Sequence, residues 1–225
     1  MLFESSRTKH LLSDINIGNK VIERVKSKTF LGVIFDEKMS WKEHINSIIT
    51  KANACLAATR RARQFLNKSA LLAIYHSLIS SHVQYCNTTW AAWQPRGNKV
   101  ILQRLQAVCN KFFRLIYYLD RRDSVRDILK VNKALTVTQN YDFNVGKLMY
   151  RAYKRDLPHP LQNLFFKNPI NMDYFCNRKF RTKCAEKSLC FAGPVVWNKI
   201  PLSCKHVPNK SIFQINLKKH IIEST

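Results

Sequence analysis

The spacing of apolar positions changes along the chain. Residues 14–25, DINIGNKVIERV, alternate apolar and polar around Gly18-Asn19, which predicts a tight hairpin. Phe30 to Phe35 is a short continuous apolar run, read as a buried strand in which Gly32 permits close backbone approach or a bulge. Two or three short strands cannot enclose a core, so this piece needs a partner. From Trp41 the period becomes helical. At about 100° per residue, Trp41, Ile45, Ile48, Ile49, Ala52, Cys55, Leu56 and Leu66 share one stripe. Arg63 falls inside that stripe, so the helix ends near it or the side chain snorkels. The opposite face carries Ala54, Ala57, Ala58 and Arg61. Small residues beside a guanidinium let a phosphate backbone come close; equally, they make a plain solvent face of high helix propensity.

Asn67 predicts the cap of a second helix, with Leu71, Leu72, Tyr75, Leu78, Ile79 and His82 facing inward. A third, over about 98–119, turns Leu102, Leu105, Cys109, Phe112 and Ile116 to the core. Ser124 and Asp127 have capping-box spacing for a short fourth helix. A fifth runs over roughly 138–155 and ends before Leu157-Pro158. Beyond Asp156 prolines multiply, and Leu189–Phe191 and Val195–Trp197 read as strand-like pieces before a last helix over about 211–223. The expected fold class is mainly α. Residues 1–38 form a small β remnant, 39–155 a helical bundle, and 156–225 an irregular basic region with a terminal helix.

Charge sharpens this plan. The 225 residues hold 38 Lys and Arg against 14 Asp and Glu, a formal charge of +24. The excess is uneven: residues 39–119 carry 11 basic and 1 acidic side chain, and the 76 residues between Glu43 and Asp120 lack any carboxylate. Solvated helical surfaces mix signs, so the block points to a polyanion, with lysine-rich compositional bias as the alternative. No run of about 18 apolar residues marks a membrane span, and MLFESSRTKH has no signal-peptide core. Seven cysteines without an export signal are expected as reduced buried thiols in an intracellular protein, nuclear or cytoplasmic and not secreted.

Catalytic chemistry finds little purchase. Asp36-Glu37 point apart if on a strand, and Asp120, Asp123 and Asp127 are explained by turn and cap duty. Cys176, Cys184, Cys190 and Cys204 with His206 lack zinc-site spacing, and no Gly-x-Ser-x-Gly or glycine-rich phosphate loop occurs. What remains is Arg60-Arg61-Ala62-Arg63 amid Phe65, Tyr75, Trp90 and Trp93, and the basic run NRKFRTKCAEK around Phe180. Cations bind phosphates and exposed aromatics stack on bases, although aromatics more often pack in a core.

The stretch ERVKSKTFLGVIFDEKMSWKEHI resembles the segment that follows the catalytic core of non-LTR, LINE- or jockey-like retrotransposon reverse transcriptases. The resemblance rests on Phe30-Leu31-Gly32, Asp36, Trp41 and His44-Ile45. It continues through Tyr85-x-Asn87-x-x-Trp90, the basic helix LQRLQAVCNKFFRLI, and GPVVWNKIPLSCKHVPNKSIFQINLKKHI, where Ile200 replaces a usual leucine. It thus spans essentially the whole chain. It implies a primer-grip-like strand at Phe30, Leu31 and Gly32, a thumb-like bundle, and a C-terminal region that grip a template–primer duplex of RNA and DNA. The implied phosphate contacts are Arg60, Arg61, Arg63, Lys68, Arg104, Lys111, Arg114, Arg178, Lys179 and Arg181. The Asp-Asp box of the family is absent from these residues, so the chain alone is expected to be no enzyme. No cofactor is expected, Mg2+ belonging to a full-length parent, and the fingers and palm would be a further partner. MLFESSRTKH is similar to the stretch following the family's palm Lys-Thr motif, which makes the chain a fragment in this reading. A helical interaction module, or a remnant that binds no nucleic acid, is the alternative.

Overall fold

The computed structural model describes residues 16–92, 99–180, 183–186 and 188–224. Helix accounts for 62% and strand for 7%, so the hairpins are an appendage of a helical body. Strands β1 (Asn16–Ile17) and β2 (Lys20–Val21) pair antiparallel across Gly18-Asn19, as expected. The Phe30–Phe35 run is not one strand. It is a second hairpin, β3 (Ser27–Phe30) with β4 (Val33–Asp36), folded across Leu31 at φ 46 and Gly32 at φ 76. Two successive left-handed residues form the turn whose twist matches paired strands, and they cut the apolar run in half. Phe30 and Leu31 therefore stand at an exposed tip, while Val33 is buried.

Asp36 makes the corner into the bundle. Its carboxylate accepts from the backbone N–H groups of Lys38, Ser40 and Trp41 at 3.2, 2.9 and 2.8 Å. These bonds hold the segment in which Met39 (φ 49) and Trp41 (φ 61) are left-handed, aiming Trp41 into the core and opening α1 (Lys42–Ala62). His44, one turn on, is buried and takes the Ile34 N–H on Nδ1 at 3.3 Å, locking β4 to α1. Of the predicted stripe, Trp41, Ile45, Ile48, Ala52 and Leu56 are buried, and Ile49, Cys55 and Leu66 pack against them. At Arg63 the α-helix gives way to a 3-10 turn, Arg63–Phe65.

Asn67 caps α2 (Lys68–Ile74), accepting from Ala70 N–H at 2.9 Å. The helix continues through a π-turn, Tyr75–Ser80, into α3 (Ser81–Gln84). A π-turn holds an extra residue, so the inward face slips by one position. Leu78 and His82, expected inside, are exposed, and Ser80 and Val83 take their places. Helix α4 (Asn87–Trp90) buries Trp90, whose indole N–H bonds Tyr85 C=O at 2.9 Å. Helix α5 (Lys99–Tyr117) buries all five predicted positions and adds Val108, Phe113 and Leu115.

The capping box expected at Ser124 and Asp127 does not form. Helix α6 (Arg126–Val131) starts later, with Val125 at the cap, and Ser124 Oγ reaches only Arg126 N–H at 3.3 Å. A capping box instead opens α7 (Val137–Tyr153), where Thr136 and Gln139 exchange side-chain and backbone bonds. Then come α8 (His159–Gln162), α9 (Lys183–Glu186), α10 (Leu189–Lys199), α11 (Leu202–Lys205) and α12 (Lys210–Glu223). The strand-like pieces at 189–191 and 195–197 are one helix, α10. It is apolar almost all round because it is largely buried, which erases the amphipathic signal. Helices α10 and α12 both pack on α7, so a single apolar core runs from Val33 and Trp41 to Trp197, Phe213 and Leu217.

The described thiols are free. Cys109 and Cys204 are buried, Cys55, Cys176 and Cys190 half-buried, and Cys86 exposed. The expectation of uniformly buried thiols fails at Cys86, the left-handed corner (φ 49) before α4. Burial pushes the Cys109 thiol up to about 12, so it stays protonated.

Candidate nucleic-acid interface

The end of α1 carries the densest cationic group of the acid-free block. Arg60 and Arg61 occupy its last turn and are exposed, and Arg63 follows in the 3-10 turn. The end of α5 meets them. Leu119 N–H bonds Arg114 C=O at 3.0 Å with Tyr118 left-handed at φ 56, the closing geometry of a helix C-terminus. That turn presents the Tyr118 ring to Arg63, whose guanidinium carbon lies 3.4 Å from the ring centroid. Tyr117, one residue earlier, takes the Lys68 ammonium at 3.8 Å, and its hydroxyl bonds Asn132 Oδ1. Arg60, Arg61, Arg63, Gln64 and Tyr118 together line one open depression. Cation–π contact orients a cation without neutralising it, so the group keeps its charge for an external anion.

Two helix C-termini, each with a partial negative charge, also converge here. That dipole alone favours cations in a last turn, and it is the plain explanation for Arg60 and Arg61. It does not account for Lys68, which opens a helix rather than closing one.

The remaining sites separate into three kinds. Arg104 and Lys111 are exposed on α5 with exposed Ala107 between them, spaced as one stripe, and the exposed Ala54, Ala57, Ala58 and Arg61 repeat the pattern on α1. Arg114 is engaged internally: its Nε and Nη2 both donate to Asp123 C=O, at 3.0 and 2.9 Å, tying down the 118–124 turn. Arg178 and Lys179 are exposed, and the Arg178 guanidinium sits 4.4 Å from the Phe166 centroid. Arg181 and Trp93 lie outside the described residues.

Of the aromatics placed near the basic block, Tyr75 and Trp90 are core residues, and Phe65 is 81% exposed and free to stack. The Phe30-Leu31-Gly32 tip lines no part of that depression and is held by Tyr85, whose hydroxyl donates to Leu31 C=O at 2.7 Å. Sequence reasoning missed Tyr117 and Tyr118 as platforms for Lys68 and Arg63. Their partners are distant in the chain, and the only local trace is a pair of tyrosines where the α5 stripe stops.

Among the described residues no group of three or more His, Cys, Asp or Glu is placed to hold a metal ion, and no helix is long and apolar enough to cross a membrane. Asp123 Oδ2 accepts from Asp120 N–H at 2.8 Å, a turn bond.

Fold and sequence define a mainly helical, strongly basic protein with a cationic block, residues 44–119, that holds no carboxylate. No protein-family model, no curated protein and no solved structure matches the chain.

Proposed function

We propose that this chain binds nucleic acid through phosphates, without catalysis of its own, as the C-terminal gripping part of a LINE- or jockey-like reverse transcriptase. The observation that carries the reading is the gathering of Arg60, Arg61 and Arg63 around Tyr118, within 76 residues free of carboxylates. Such a surface contacts a template–primer backbone with little regard to sequence. The apolar tip at Phe30 and Leu31 is exposed, as a primer-grip element would need. Catalytic carboxylates and Mg2+ belong in this reading to fingers and palm segments, which are partners of the residues described. The work of such an enzyme is intracellular, in cytoplasm or nucleus.

The test is the salt dependence of binding to an RNA–DNA duplex, by fluorescence anisotropy. The expected plot of log K against log salt is steep. Replacing Arg60, Arg61 and Arg63 with alanine should lower its slope by roughly 0.9 for each phosphate that these side chains neutralise. A wild-type chain that binds no duplex at low salt would overturn the reading and leave a helical interaction module, with dipole-matched arginines, in its place.

A further inference from the structure

A second cationic group lies at the far end of α7, and none of its members belongs to the set read from the sequence. Helix α7 closes with a Schellman motif: Asp156 N–H bonds Arg151 C=O at 2.8 Å and Arg155 N–H bonds Ala152 C=O at 3.1 Å. The motif needs one left-handed residue, a role for which glycine is the unstrained choice. Here it is Arg155, at φ 58. Beside it the Lys154 ammonium lies 5.7 Å from the Tyr153 ring centroid, and Lys167, from a different segment, lies 4.3 Å from the same ring. Lys167 is half-buried and its pKa is lowered, by burial first and then by the charge of Arg155, with Asp173 acting the other way and Lys154 adding a smaller push, so the three cations crowd one another.

Two carboxylates lie near this group, and each holds other partners, although Asp173 offsets part of the Lys167 charge. Asp156 pairs with Arg151 at 3.1 Å. Asp173 Oδ1 accepts from the Tyr153 hydroxyl at 2.7 Å and meets His206 Nε2 at 2.8 Å. Among the described residues no ion pair involves Lys154, Arg155 or Lys167. The α7 dipole favours Lys154 and Arg155 at its C-terminal end, and Lys167 is brought to the same end from a different segment. Two ammonium groups on one aromatic ring, a left-handed arginine beside them and no ion pair to any of the three among the described residues leave this end of α7 with unpaired positive charge.

We infer that Lys154, Arg155 and Lys167, set around Tyr153, form a phosphate-binding site. Within the function proposed above, on which the identity of the ligand rests, the phosphate is one of a nucleic-acid backbone. The site lies apart in the chain from the α1 arginines and extends the grip to the C-terminal part of the protein. A free phosphate is the other source of the same chemistry.

The experiment uses the full chain and two probes, inorganic phosphate and the RNA–DNA duplex. At a low ionic strength held constant with sodium chloride, inorganic phosphate should raise the Tm of the wild type and of the Arg60/Arg61/Arg63 triple alanine variant alike. The rise should vanish in K167Q and in R155G, the latter melting no lower than wild type because glycine relieves the left-handed strain. An equal rise in all four proteins overturns the site. With duplex, K167Q and R155G should each lower the salt slope by about 0.9. Phosphate stabilisation without duplex binding keeps the site, assigns it a free phosphate, and sinks the nucleic-acid reading alone. Duplex binding whose slope ignores both substitutions sinks the site alone.

Discussion

Asp36 and His44 show how single residues fix the junction of sheet and bundle. Asp36 spends its carboxylate on three backbone donors and His44 its Nδ1 on a fourth, all within one tight corner. Since Nδ1 accepts, the His44 proton sits on Nε2, which finds no hydrogen-bond partner among the described residues. Burial lowers the His44 pKa below its ordinary 6.5, helped by the nearby charge of Lys51. The folded state thus favours neutral imidazole. Its contribution is complete above about pH 6.5 and is lost as pH falls from there through the lower folded pKa. In urea melts at several pH values, the stability gap between wild type and His44→Gln should be constant above neutrality and shrink on acidification. A gap independent of pH would show that His44 does not titrate with unfolding.

At the scale of elements, packing decides where propensity misleads. The α5 stripe is legible in the sequence because one face is buried and the other wet. The inward face of α2 and α3 is legible at Leu71, Tyr75 and Ile79 but not at Leu78 and His82, since nothing in the sequence announces a π-turn. Helix α10 reads falsely as strand because Val195, Val196 and Phe191 favour strands, and because Gly193-Pro194 looks like a breaker. Gly193 instead lets α10 approach α7: a Cβ there would lie 2.7 Å from Met149 Sδ and 3.0 Å from Phe165 Cε1. Gly193→Ala should therefore cost about 1–3 kcal/mol by overpacking, read as a lowered denaturant midpoint. Met149→Ala in the same protein should recover part of that loss. The candidate interface divides in the same way. Its arginines stand out as a run without acids, whereas their tyrosine platforms depend on the meeting of two helix ends.

For the molecule as a whole, a charge of +24 repels itself in the compact state. The surface pairs Arg151–Asp156 and Lys219–Glu223 offset little of this. Salt shortens the reach of the repulsion to roughly 8 Å at physiological ionic strength. The Tm should therefore rise as sodium chloride is added at fixed pH, opposite to its effect on duplex affinity. A Tm that falls with salt would mean that favourable ion pairs, rather than crowding of like charge, dominate the folded state.

The hairpin β3–β4 is a ribbon of two strands, a form that bends easily when left alone. This one is fastened twice, at its base by Asp36 and His44 and at its tip by the Tyr85 hydroxyl on Leu31 C=O. In mechanical terms it is a beam clamped at both ends. A load on Phe30 and Leu31 passes through Tyr85 into the corner where Cys86 turns the chain towards α4, rather than flexing the ribbon. Whatever touches that tip is felt in the bundle.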